Sequence, residues 1–119
     1  MSYNSKSFGD SGEETAAGYL VENGFRILAT KFRYGRYSEI DIISVKENLI
    51  VFFEVKTRQN SRFGGSVYSI NKRKIHNLKK CAGYFLLKNP DLFHNYIFRF
   101  DLICIQNGKI EIIENIIPW

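Results

Sequence analysis

The sequence predicts a single α/β or α+β domain with a central mixed β-sheet flanked by helices, in the order α-β-β-β-α-β-β. Two stretches keep apolar residues at helical spacing, and five others have the β-branched, aromatic or alternating pattern of strands. The pair Asn107-Gly108 separates the last two strands and is a strong signal for a hairpin. The length of 119 residues suits one domain spanning 1–119, with residues 1–8 expected to be frayed.

The first helix is predicted from about Ser11 to Asn23. Asp10 or Ser11 can cap its start, and Glu13 or Glu14 can complete a capping box. Its apolar stripe consists of Ala16, Ala17, Leu20 and Val21. This spacing places the stripe on one face, which is expected to pack on the sheet.

The other elements are predicted from the same kinds of pattern. Their ranges are 25–31, 40–45 and 49–57 for three strands, 71–88 for the second helix, and 96–105 and 109–117 for the last two strands. Segment 31–37 (KFRYGRY) is interpreted as a loop of basic and aromatic residues. Segment 59–69 (QNSRFGGSVYS) is interpreted as a Gly- and Ser-containing loop.

Charged residues interrupt the apolar parts of two predicted strands, in the segment SEIDIISVKENLIVFFEVKTR at 38–58. Alternate residues of a strand share a face, so Glu54 and Lys56 share one face, while Phe53 and Val55 take the opposite face as the core. A two-residue turn fixes which residues oppose one another across the hairpin. The expected pairs are Lys46 with Leu49, Asp41 with Glu54, and Glu39 with Lys56.

The expected pairing of Asp41 with Glu54 brings two carboxylates together. Like charges repel, so this pairing is unfavourable as a purely structural feature. Mg²⁺ prefers oxygen ligands and often takes one or two carboxylates, with water and phosphate completing its shell. A lysine such as Lys56 can orient the attacking water, help to deprotonate it, or offset charge in the transition state. The pattern favours phosphodiester hydrolysis, with Glu39 as an auxiliary acid. A solvated sheet face with a Glu39–Lys56 ion pair remains the alternative.

Several segments, taken in order, resemble the landmarks of a known family: GDSGEETAAGYLVENGFRIL, SEIDII, LIVFFEVKTR, FGG and RFDLI. The family is the YraN-like family of endonuclease-like proteins, in the restriction-endonuclease-like superfamily with its PD-(D/E)xK motif. The resemblance covers about residues 9–105 and implies the restriction-endonuclease-like fold, whose core archaeal Holliday-junction resolvases share. Two departures are Ser38, where the family usually has glycine, and the absence of the motif's proline.

The resemblance also implies roles for individual residues. Asp41 and Glu54 would bind Mg²⁺ or Mn²⁺, and Lys56 would be the catalytic lysine. Glu13 would supply a further acid, directly or through water. In the resulting working model the Val55 carbonyl also contacts the metal. Asp41, Glu54 and Lys56 are then expected on one sheet face, turned toward the helix that carries Glu13.

A net charge of +5, from 17 Lys and Arg against 12 Asp and Glu, suits a polyanionic partner. We expect nucleic acid, with DNA inferred by analogy, and the resolvase-like relatives suggest a homodimer. The candidate nucleic-acid-binding residues are Lys31, Arg33, Tyr34, Arg36, Arg58, Arg62, Lys72, Arg73 and Lys74. Basic and aromatic residues together can hold phosphates and stack on bases, although solvated surfaces would show the same pattern.

The competing interpretation is a non-catalytic nucleic-acid-binding module on the same fold. A pure binder gains nothing from carboxylates that repel phosphate, so the acids favour the enzyme. Arg99 and Asp101 alternate on one strand face, and a structural ion pair is favoured there over catalysis. No segment predicts a membrane span or a signal peptide, so a cytoplasmic protein is expected.

Overall fold

The computed structural model describes residues 11–58 and 71–117, and each predicted helix and strand is present there. The elements are α1 (Ser11–Glu22), β1 (Arg26–Tyr34), β2 (Ser38–Lys46), β3 (Leu49–Arg58), α2 (Lys72–Lys88), α3 (Pro90–Asn95), β4 (Ile97–Gln106) and β5 (Lys109–Ile113). The expected fraying of residues 1–8, the capping role of Asp10 and the loop at 59–69 lie outside the described residues. Within them, no helix has the length and apolarity needed to cross a membrane.

The sheet is mixed and follows the chain order β1-β2-β3-β4-β5, which confirms the predicted architecture. β3 and β4 run parallel, and the other neighbours run antiparallel. Parallel neighbours need a long crossover connection, and α2 lies in the connection between β3 and β4. The hairpin expected at Asn107-Gly108 is also present, with both residues at positive φ.

Two helices cover opposite faces of the sheet. The α1 core contains Ala16, Ala17 and Leu20 together with Ile42, Val51, Phe53 and Ile103. The α2 core contains Leu78, Ala82 and Phe85 together with Ile43, Ile50, Phe52 and Phe100. The expectation that only one face of β3 is core was therefore wrong. Central strands that pair in parallel are covered on both faces, so their apolar residues do not simply alternate with polar ones.

Segment 31–37 is mostly strand, contrary to its interpretation as a loop. β1 continues to Tyr34, and only residues 35–37 form the turn to β2. The extra pairs join Phe32 to Ile40 and Arg33 to Glu39. Aromatic side chains favour strands, and the interleaved basic residues can stay solvated because β1 is an edge strand.

The short helix α3 was not predicted, and β5 ends at Ile113 rather than near residue 117. Six residues are too few to display a helical period, although Pro90 at the first position is a favourable start. After β5, the Ile116 N–H donates to the Phe100 carbonyl at 2.8 Å, and Ile117 is fully buried. The apolar tail thus covers the core without extending the strand.

Arg99 and Asp101 form the predicted structural ion pair. Arg99 Nε and Nη2 donate to the two carboxylate oxygens of Asp101 at 2.8 and 2.9 Å. The backbone N–H of Asn115 also donates to Asp101, at 2.9 Å. Asp101 is 1% exposed, so these three bonds compensate for its burial and tie the segment after β5 to β4.

Asp101→Asn should therefore lower the free energy of unfolding by roughly 3 kcal/mol, because it leaves the arginine without its buried partner. Urea denaturation of the metal-free protein measures this change. Glu114→Gln is the matched control, because Glu114 also contacts Arg99 but is exposed. It should change the stability by at most about 0.5 kcal/mol. Equal effects of the two substitutions would contradict a buried structural role for Asp101.

Candidate active site

The site lies where the backbone pairing of β2 and β3 ends. The ladder runs in the predicted register from Lys46 opposite Leu49 to Ile42 opposite Phe53. It ends before the expected pairs of Asp41 with Glu54 and of Glu39 with Lys56, and Glu39 lies opposite Arg33 of β1 instead. At the first position beyond the ladder, the carboxylate of Asp41 accepts the Val55 N–H at 2.8 Å. A side chain thus takes a backbone donor of β3 at the place where a ladder bond would otherwise form, and the Asp41 carboxylate lies beside Glu54.

Burial, followed by the negative charge of Glu54, raises the pKa of Asp41 to about 7. The Val55 N–H opposes this rise, whereas the charges of Glu13 and Glu39 add to it. The charges of Glu13, Glu39 and Glu54 thus all act on Asp41, and these four acids form one electrostatic cluster. The hairpin register predicted Glu39, Asp41 and Glu54 together, whereas Glu13 was implied by the family resemblance. Near neutral pH, the surroundings of Asp41 therefore stabilise its ionised carboxylate poorly.

Glu54 is held by two lysines. Its side chain is nearly buried, with the Oε2 atom 3.7 Å from Lys56 Nζ and 3.1 Å from Lys74 Nζ. Lys74 belongs to α2, and Glu54 alternates with Phe52, which packs in the α2 core. Glu54 and Lys56 therefore lie on the α2 side of the sheet. The expectation that they face α1 was wrong, because the face with Val51 and Phe53 is the one that α1 covers.

Glu13 reaches the cluster from α1 on the other side of the sheet. It is 7% exposed, and its Oε1 lies 3.2 Å from Lys31 Nζ. Lys31 lies within β1 at φ +49°, a conformation that non-glycine residues rarely adopt and that marks a local distortion of the strand. Glu13 thus acts on Asp41 through charge, and its own carboxylate contacts a lysine.

Three predicted nucleic-acid-binding cations contact acids of this cluster. Besides Lys31 and Lys74, Arg33 Nη2 lies 3.4 Å from Glu39 Oε1. Arg36, in the exposed turn before β2, and Lys72 and Arg73, on the first turn of α2, lie at the surface. The side chain of Arg58 and the whole of Arg62 lie outside the described residues.

Tyr34 packs on α2 and remains 40% exposed. Its ring centroid lies 4.5 Å from that of Tyr84, and Lys80 Nζ lies 5.9 Å from the Tyr34 ring. Tyr84 was not among the predicted binding residues. Its spacing of four from Lys80 was the available signal, since residues at i and i+4 share a helix face. Together these residues form a basic and aromatic surface beside β1.

A divalent metal fits this site as a two-carboxylate centre. In segments 11–58 and 71–117, no three His, Cys, Asp or Glu side chains converge as a metal-binding group. Asp41, Glu54 and the Val55 carbonyl would leave the remaining positions to water and phosphate, which is the usual arrangement for Mg²⁺. The raised pKa of Asp41, which burial and then the charge of Glu54 cause, supports the fit, because added positive charge would stabilise the ionised carboxylate.

Comparisons with known proteins identify the family. Residues 12–105 match the model described as Uncharacterised protein family UPF0102. The chain is 43% identical over 101 residues to a UPF0102 protein of Syntrophomonas wolfei, covering 85% of this chain and 87% of that relative. It is 43% identical over 107 residues to one of Thermodesulfovibrio yellowstonii, covering 90% and 92%. It is 38% identical over 109 residues to one of Campylobacter fetus, covering 92% of each. The chain belongs to family UPF0102, the YraN-like family that its landmarks resemble.

Proposed function

We propose that this protein is a metal-dependent endonuclease that hydrolyses phosphodiester bonds in DNA. The observation that carries the proposal is the position of Asp41, whose carboxylate accepts the Val55 N–H beside Glu54. Burial of this carboxylate at the end of the β2–β3 ladder, followed by the negative charge of Glu54, raises the pKa of Asp41 to about 7. Repulsion between the carboxylates of Asp41 and Glu54 lowers the stability of the protein. Such an arrangement is typical of a functional site, and binding of a cation would offset its cost.

Each residue of the site has a distinct part in the proposed reaction. Asp41, Glu54 and the Val55 carbonyl would hold Mg²⁺ or Mn²⁺, which supplies positive charge to a phosphate oxygen and lowers the pKa of water. Lys56 projects its ammonium next to Glu54 and is 38% exposed along its side chain. It can therefore orient the attacking water and offset charge that develops on the phosphate. Glu13 and Glu39 add negative charge around Asp41.

A non-catalytic nucleic-acid-binding module is the second candidate, because the exposed cations Arg36, Lys72 and Arg73 would serve it equally well. It offers no reason for two nearly buried acids, Glu13 and Glu54, whose charges both act on Asp41. Carboxylates repel the phosphate backbone, and their burial carries a desolvation cost. Activity in the presence of metal separates the two candidates.

Wild-type protein should cleave at least one of three DNA substrates, single-stranded, duplex or four-way branched, with Mg²⁺ or Mn²⁺ and not with chelator. Asp41→Asn and Glu54→Gln should abolish cleavage, and Lys56→Met should slow it by about 10²–10⁴-fold. Gel analysis of labelled substrates measures the rates. Glu111→Gln is the matched control, because it removes an exposed carboxylate from β5 and should cleave at the wild-type rate. Metal-independent DNA binding without cleavage of any substrate would favour the binding module.

Asp41→Asn should stabilise the chelator-treated protein increasingly as the pH rises. The pKa of Asp41 is raised in the folded state from 3.8 to about 7, so the folded protein binds more protons than the unfolded chain between these values. Wild-type stability therefore falls as pH rises through this window, whereas asparagine has no proton to lose. Urea denaturation from pH 4.5 to 8 measures both proteins. A constant difference across this range would contradict the raised pKa.

Bound metal should make the wild type more stable than Asp41→Asn, which is the reverse of the order expected in chelator. At free Mn²⁺ about 100 times the dissociation constant, the wild type should gain roughly 2.7 kcal/mol by mass action. Asp41→Asn should gain much less because it lacks one carboxylate ligand. Thermal melts with chelator and with Mn²⁺ compare the two proteins. An equal gain in both would show that Asp41 is not a ligand.

Replacing Arg33 and Arg36 with Ala should weaken DNA binding and reduce its salt dependence. Each lost phosphate contact lowers the log–log slope by about 0.7–0.9, because fewer counterions are released. Fluorescence anisotropy across salt concentrations, in chelator, measures the slope. Lys109→Ala removes an exposed charge from β5, at the opposite edge of the sheet, and should leave the slope unchanged. An unchanged slope in the double variant would exclude this end of β1 from the interface.

A further inference from the structure

Lys74 makes the closer of the two lysine contacts to Glu54. Its Nζ lies 3.1 Å from Glu54 Oε2, whereas Lys56 Nζ lies 3.7 Å from the same atom. The Glu54 side chain is nearly buried, whereas the side chain of Lys74 is 43% exposed. The carboxylate is therefore fixed, and its closer cation sits at the surface on a flexible stem.

The sequence around Lys74 is locally unfavourable for a helix. The first turn of α2 begins with Lys72, Arg73 and Lys74 and has no acidic residue. Cations at a helix N-terminus oppose the helix dipole. The Asn71 side chain nevertheless caps this turn by accepting the Lys74 backbone N–H at 2.8 Å, which fixes the point from which the lysine reaches Glu54. The ion pair with Glu54 compensates for this placement.

We propose that Lys74 is a positioning residue that acts as the counter-ion of Glu54 until a divalent cation binds. The inference rests on the proposed function, because it assigns Glu54 to the metal. Lys74 and the cation compete for the same carboxylate, so metal binding displaces the ammonium into solvent. The displaced ammonium of Lys74 can then bind a phosphate of the nucleic acid. By linkage, a phosphate that engages Lys74 strengthens metal binding, and the metal strengthens binding of that phosphate to the same degree.

The test is the affinity for Mn²⁺ alone, measured by isothermal titration calorimetry without nucleic acid. Lys74→Met removes the competitor and should bind Mn²⁺ about tenfold more tightly than wild type, a typical size for coupling between sites. Lys72→Met is the matched control, because it removes the same charge from the same helical turn. It should change the affinity by no more than about twofold, since screening weakens exposed charges that make no close contact.

The outcomes separate this inference from the proposed function. If wild type binds Mn²⁺ and Lys74→Met binds it no more tightly than Lys72→Met does, the counter-ion role is overturned and the metal site stands. If only Lys74→Met binds Mn²⁺, the role is supported, since the lysine then blocks the site. If no protein binds Mn²⁺, both the metal site and the role of Lys74 are wrong.

A second measurement follows Lys74 in the wild-type protein itself, so it does not depend on the folding of Lys74→Met. NMR signals of the Lys74 side chain, assigned by their absence in Lys74→Gln, should shift when Mg²⁺ is added to the wild type. They should stay in place in Asp41→Asn, which lacks one metal ligand but keeps Glu54. Saturable metal binding to the wild type without movement of these signals would overturn the inference, even if Lys74→Met failed to fold.

Discussion

The candidate site depends on the bond from the Val55 N–H to the Asp41 carboxylate. β2 and β3 pair regularly up to Ile42 and Phe53, and their separation beyond this point would leave backbone donors unsatisfied at the edge of two cores. The Asp41 side chain accepts one of these donors, the Val55 N–H, and is thereby fixed next to Glu54. The bond thus satisfies the backbone, keeps the ends of two strands together, and holds a carboxylate close to another carboxylate.

The charges around this bond come from four elements on both sides of the sheet. α1 and β1 contribute the pair of Glu13 with Lys31, and β3 and α2 contribute the pair of Glu54 with Lys74. Each lysine compensates the acid that it contacts, and the charges of both acids act on Asp41. Its only compensation in the described contacts is one backbone N–H, so burial and the charge of Glu54 both disfavour its ionised form. A proton relieves this strain, and a bound metal ion would do the same.

The sequence was informative where local rules decide the structure. A two-residue turn and a period of two were enough to predict the β2–β3 register and the proximity of Asp41 to Glu54. The packing of helices on the sheet decided the features that local rules did not predict. The burial of Phe52 depends on α2, which packs on that face although it lies far along the chain. The contact of Lys74 with Glu54 has the same origin. Lys74 was predicted to bind phosphate because nothing in a single sequence shows which cation faces a carboxylate of another element.

The contrast between Asp101 and Asp41 is the strongest structural argument for function. Both belong to the same sheet, and both accept a backbone N–H at 2.8–2.9 Å. Asp101 also receives two bonds from Arg99, which is how a fold stabilises a buried carboxylate. Asp41 receives no such arginine among the described contacts and has Glu54 beside it instead. The fold pairs the buried Asp101 completely on β4 but leaves the half-buried Asp41 on β2 short of positive charge. That deficit matches the positive charge that a divalent cation would supply.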